Sequence, residues 1–180
     1  MPRVLILYGT SEGHTRAIAR AIAEPLSRGG VDADVTRAGL LEPVLPEYDA
    51  IIVAASVHAG RYQKAVERWV REHAQEFGAR PTAFVSVSLA VLQHDAKVMA
   101  ELDAIVKRFL DATAWQPGVV KHVAGALLYT RYNIFKRWIM KRIAAKAGGE
   151  TDTSRDYDYT DWADVRAFAD EFGRRIKAAA

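Results

Sequence analysis

Five consecutive apolar residues near the start of the chain, Val4-Leu5-Ile6-Leu7-Tyr8, stop abruptly at Gly9. A strand that is apolar on both faces must be buried on both, which calls for a parallel sheet covered by helices on each side. A helical pattern follows. Ile18, Ala19, Ile22, Ala23 and Leu26 fall on one face, Arg16, Arg20 and Glu24 point away, and Gly29-Gly30 end it. The alternation continues to the end of the chain. Val31 to Val35 reads as a short second strand, Tyr48 to Ala55 as the third, Thr82 to Ser88 as the fourth and Val119 to Tyr129 as the fifth. Helical stripes lie at Ala65, Val66, Trp69 and Val70, and again at Met99, Leu102, Ile105, Val106, Phe109 and Leu110. The last runs from Trp162 through Val165, Phe168, Ala169, Phe172 and Ile176, with Thr160 expected as its N-cap. The expectation is a three-layer α/β sandwich forming one domain over residues 1–180.

Composition removes several kinds of chemistry. The absence of cysteine excludes a disulfide framework, a thiolate metal site, an iron–sulfur cluster and a cysteine nucleophile. His14, His58, His73, His94 and His122 show no metal-ligand spacing, so no metal is expected, and no GxSxG elbow supports a hydrolase. No apolar run approaches the roughly 18 residues of a membrane span, and Met1 to Tyr8 is too short to read as a secretory signal. Charge is unevenly spread. The 38 residues between Asp111 and Glu150 contain no acid but seven cations, Lys121, Arg131, Lys136, Arg137, Lys141, Arg142 and Lys146, whereas the net charge is only +3. The remainder carries 18 basic and 22 acidic residues, a net of −4. An acidic body with one basic segment implies an anionic partner at that segment.

In an open parallel sheet a ligand binds beyond the carboxyl ends of the strands, where the strand order reverses. The loop there, Gly9-Thr10-Ser11-Glu12-Gly13-His14-Thr15, runs straight into a helix, so hydroxyls and backbone N–H groups meet the helix's positive end. It lacks the lysine of a P-loop and the spacing of GxGxxG. By itself it serves equally as a phosphate nest or as a plain turn with a helix cap.

Tyr8 to Thr15 resembles the flavodoxin phosphate loop, which wraps the ribityl phosphate of FMN. The resemblance implies FMN as cofactor, held by Thr10, Ser11, Glu12, Gly13, His14 and Thr15, in a five-stranded parallel sheet of order 2-1-3-4-5. Glu12 stands where the family usually has Thr or Ser, and its carboxylate is expected to face solvent while its N–H contributes. The family's second loop, flanking the isoalloxazine, corresponds to Ser56, Val57, His58, Ala59, Gly60, Arg61 and Tyr62. The usual aromatic stacker is missing at its start, so either Tyr62 or His58 substitutes or the ring stays more open. The third loop begins at Ser88, Leu89 and Ala90. Neither of these two loops carries an acid before Asp95, an arrangement that penalises the two-electron reduced flavin less than the acid-rich loops of flavodoxins do.

A narrower match covers nearly the whole chain. YDAIIVAASVHAGRY (48–62), AFVSV (83–87), AGAL (124–127) and above all GGETDT (148–153) with YTDW (159–162) resemble the flavodoxin-like, menaquinone-dependent protoporphyrinogen IX oxidases. That family carries a long insert after its fifth strand, where the basic segment lies here. Residues 132–147 (YNIFKRWIMKRIAAKA) fit a basic amphipathic helix, suited either to a membrane interface or an anionic substrate, or to a core-packed helix with a solvated face.

The resemblance implies oxidation of protoporphyrinogen IX in three two-electron steps with menaquinone or another quinone as acceptor. It also implies a cytoplasmic protein in peripheral contact with the inner face of the cell membrane. No side chain stands out as an obligatory acid or base. Arg61, Arg131, Lys136, Arg137, Trp138 and Lys141 are the residues expected to meet substrate or membrane. Nucleic acid is not an expected partner, and a homo-oligomer is left open. The competing readings are a flavodoxin-type electron carrier, an NAD(P)H:quinone reductase, and a flavin-free docking protein.

Overall fold

The computed structural model describes residues 1–40, 43–93, 95–131, 141, 144–145 and 149–179. Five parallel strands form the central sheet in the order β2-β1-β3-β4-β5. They are β1 (Arg3–Gly9), β2 (Asp32–Arg37), β3 (Ala50–Ser56), β4 (Thr82–Val87) and β5 (Val119–Val123). Helices α1 (His14–Arg28), α2 (Lys64–His73), α3 (Ala96–Thr113) and α4 (Trp162–Ala179) cover the two faces.

The double burial of β1 resolves into the period-two alternation of a strand. Val4, Ile6 and Tyr8 join Ala50, Ile52 and Ala54 of β3 beneath α1 and α4, in one core cluster. Leu5 and Leu7 join Ile51 and Val53 beneath α2 and α3, in the other. Ile18, Ile22 and Leu26 anchor α1 with at most 1% of their surface exposed, and complete burial of such a side chain contributes about 1.5–3 kcal/mol. Gly30 follows α1 with φ 81°, a left-handed position that ends the helix.

Two boundaries differ from the sequence reading. The fifth strand stops at Val123, and the chain then turns away to form a two-residue strand β6 (Ala126–Leu127), antiparallel to β7 (Tyr157–Asp158). Its backbone partners change at this point: Ala124 O accepts from the Thr160 hydroxyl (2.8 Å) and Gly125 O from the Tyr159 N–H (3.2 Å). An apolar run does not record such a change of partner. The second difference is the cap of α4, where Asp161, not Thr160, accepts from Ala163 N and Asp164 N, both at 3.0 Å. Trp69 is buried as expected, whereas Trp162 is partly exposed and donates its indole N–H to Asp158 (3.0 Å).

The GGETDT and YTDW segments close the base of the insert. Gly149 N–H donates to Ala144 O, Glu150 N–H to the Tyr159 hydroxyl, and the Tyr129 hydroxyl to Glu150 O, at 2.8, 2.8 and 2.9 Å. Tyr157 stacks on Tyr159 and meets Tyr129 edge-on. Asp156 accepts from both Thr130 N and Thr130 Oγ1. Lys136, Arg137 and Trp138 lie outside the described residues, as does most of the expected helix 132–147. Lys141 is helical and exposed, Ala144 is buried against Leu127 and Tyr129, and Arg131 ends a short 3-10 turn that starts at Tyr129.

Candidate functional site

The loops leaving the carboxyl ends of β1, β3 and β4 converge on one cleft of about 220 Å³. Thr10, Glu12, His14 and Thr15 line it from the first loop, Ser56, Val57, His58 and Ala59 from the second, and Ser88, Leu89 and Ala90 from the third. Val87, Gly125 and Ala126 complete the wall. The cleft sits beside the switch in strand order, with β2 on one side of β1 and β3 on the other.

Gly13, at φ 95°, turns the first loop into α1, and its N–H donates to Thr10 Oγ1 (2.8 Å). Having no side chain, Gly13 cannot cap the helix, and the first turn of α1 contains no acid. The amide donors at this helix head therefore meet no side-chain acceptor from the cap position. Ser11 is exposed at the edge, with its hydroxyl 3.5 Å from Gln63 Nε2.

His14 is locked by the far end of the chain. Its Nε2 lies 2.7 Å from Thr160 Oγ1 and 3.5 Å from Asp158 Oδ1, and its ring meets Trp162 edge-on. The Thr160 hydroxyl has one proton and gives it to Ala124 O (2.8 Å), so toward His14 it accepts. Nε2 must then carry the imidazole proton. Burial holds the His14 pKa below its ordinary value, with Asp158 pulling the other way, which leaves a neutral ring of fixed tautomer near pH 7.

The second loop is a tight hairpin. His58 N–H donates to Arg61 O (2.7 Å) and Arg61 N–H to His58 O (3.0 Å), while Ala59 (φ 47°) and Gly60 (φ 73°) both adopt left-handed conformations, as in a type I′ turn. This turn sends its residues in two directions. His58 and Ala59 face the cleft; Gly60, Arg61 and Tyr62 line a separate cavity on the α3 side. Tyr62 packs between Phe84 and Phe109 and shares a 2.7 Å hydrogen bond with Ser86, so it lies in the core instead of beside the cleft and is not placed to stack on a ring there. Of the two candidate substitutes, only His58 lines the cleft.

Glu12 departs from expectation. Its side chain is only 18% exposed, and its carboxylate stands 3.6 Å from His58 Nε2. Among the described residues it is the one acid on the cleft wall, so the surroundings are not acid-free even though the second and third loops are.

Gln63 was not singled out from sequence. It donates to Ser56 Oγ (2.8 Å), reaches Ser11 and stands against Gly9, tying the first two loops together. Its position after the turn, at the N-cap of α2, was the available signal. Thr160 was also missed as a site support, although it belongs to the quoted YTDW motif. In the third loop Ser88 N–H donates to Val123 O and Ser88 Oγ accepts from Ala90 N–H. Among the described residues no group of His, Asp or Glu could hold a metal ion.

The residues present fit a flavin phosphate at the head of α1. The hydroxyls of Thr10 and Thr15 and the uncapped amides provide donors, with Ser11 at the rim, while the apolar Val57, Ala59, Leu89 and Ala90 provide walls for a planar ring system.

Comparison with known proteins agrees in extent. Residues 5–154 match the model of the flavodoxin domain. The chain is 37% identical over 170 residues to a protein of Escherichia coli strain K12 named protoporphyrinogen IX dehydrogenase [quinone], covering 94% of this chain and 93% of that one. A protein of Leishmania major with the same name is 37% identical over 177 residues, covering 95% of this chain and 74% of its own. Among solved structures, a flavodoxin of Streptococcus pneumonia TIGR4 superposes with a TM-score of 0.59 at 15% identity, over 99% of each chain.

Proposed function

The chain belongs to the flavodoxin-domain family and, within it, to the protoporphyrinogen IX dehydrogenases [quinone]; on that premise we propose that it binds FMN and oxidises protoporphyrinogen IX to protoporphyrin IX, passing electrons to a membrane quinone. The observation that carries this reading is 37% identity extending over 94% of the chain, the insert and its closing motif included. The bound flavin supplies a two-electron acceptor, used once for each of three dehydrogenation steps.

The chain's own residues do the rest. Thr10, Ser11, Thr15 and the amides heading α1 bind the phosphate, as an uncapped helix N-terminus favours. Gln63 holds the first two loops in mutual register through Ser56 and Ser11. His14, pinned by Thr160, keeps the head of α1 fixed against the β6–β7 ribbon. On the cleft wall the Glu12 carboxylate stands 3.6 Å from His58 Nε2, bringing the first and second loops together there. The basic segment after β5 gives the protein its contact with anionic substrate or with an anionic membrane surface. Among the described residues no helix is long and apolar enough to cross a membrane.

Anaerobic titration tests the assignment. Purified protein should be yellow and release FMN on denaturation. Protoporphyrinogen IX should bleach its visible band and menadione should restore it. A band that is bleached by NAD(P)H but not by protoporphyrinogen would transfer the protein to the quinone reductases.

A further inference from the structure

Beside the cleft lies a second cavity of about 550 Å³, lined by Ala59, Gly60, Arg61, Tyr62, Glu67, Ile105, Arg108, Phe109 and Ala112. Ala59, at the tip of the type I′ turn, lines both spaces, so they adjoin at one residue. Two guanidinium groups occupy the second space from different elements, Arg61 from the turn and Arg108 from α3. Arg108 donates to Gly60 O at 3.4 Å, and among the described residues neither the Arg108 nor the Arg61 side chain makes an ion pair. Among the described residues the single acid on the wall, Glu67, is already paired with Arg71 one helical turn away. Tyr62, Phe109 and Ile105 give the space an apolar floor. Two uncompensated cations above aromatic and aliphatic surface suit an amphipathic dianion.

We propose that Arg61 and Arg108 form a carboxylate subsite that seats the acidic side chains of the tetrapyrrole substrate and lays its macrocycle across Ala59 toward the flavin. This rests on the reading of the protein as a porphyrinogen dehydrogenase. The neighbouring Lys107 of α3 does not share the role, being paired with Asp111.

The test compares deuteroporphyrin IX with its dimethyl ester, which lacks the charges, as ligands of the FMN-loaded protein, read by the shift of the porphyrin absorption band. R61Q/R108Q should weaken binding of the diacid about tenfold or more, the scale of losing a charge-assisted hydrogen bond to each carboxylate, and leave the diester unchanged. K97Q/K107Q, which removes the same charge from exposed positions on α3, should leave both ligands unchanged. In turnover of protoporphyrinogen IX, R61Q/R108Q should raise KM and spare kcat. Equal weakening of diacid and diester, no weakening at all, or the same loss in K97Q/K107Q would each overturn the subsite. Failure of the wild-type protein to oxidise protoporphyrinogen while still preferring diacid over diester would instead overturn the reading of the reaction and leave the subsite standing.

Discussion

Packed against two phenylalanines, the Tyr62 phenol resists ionisation: burial pushes its pKa up to about 12, with the Ser86 hydrogen bond pulling back. A raised pKa means that the unfolded chain loses this proton first as pH rises, so the stabilisation is complete below pH ~10 and disappears toward pH ~12. A two-unit shift corresponds to about 3 kcal/mol. Urea titrations should show wild type losing that much stability across this window, with Y62F showing a flatter profile. His14 behaves in the opposite sense. Its lowered pKa makes the folded state resist protonation, so stability is complete above pH ~6.5 and falls as pH drops through the lower folded value. H14Q should flatten that acid limb, measured by the same titrations between pH 5 and 7.5. Neither residue was legible as a core or latch position in sequence. An aromatic at the end of a loop fits a core slot as well as a ligand contact, and a histidine in a phosphate loop does not announce a partner 146 residues away.

Elements were more legible than residues, because β1, β3 and β4 are buried on both faces and their apolar runs end where burial ends. Helices α1 to α4 follow their apolar stripes for the same reason. The fifth strand was read too long since Ala124 to Tyr129 stays apolar while its partners change from β4 to β7 and the tyrosine cluster. How closely elements pack also decides what Gly9 can become. A Cβ there would collide with Val66 Cγ2 and lie 2.9 Å from Gln63 Oε1, pressing β1 away from α2. G9A should cost about 1–3 kcal/mol in thermal or urea unfolding, the usual penalty of overpacking. It should also weaken flavin binding, because Gln63 holds the first two loops together.

At the scale of the whole molecule, the described residues flanking the insert meet where Glu150 O accepts from the Tyr129 hydroxyl and Glu150 N–H donates to the Tyr159 hydroxyl. Removing residues 132–147 should therefore leave FMN binding intact and abolish porphyrinogen turnover; equal loss of both would make the segment part of the frame. Beyond the insert, α4 returns to bury Val165, Phe168, Phe172 and Ile176 in the same cluster as α1, and Asp164 binds Lys121 of β5. A backbone severed between 131 and 141 would thus yield two pieces with complementary surfaces, the shorter one supplying a helix that the longer one needs. Co-expressed, they are expected to find each other and rebuild a coloured protein, much as a reporter split at a permissive joint regains its signal.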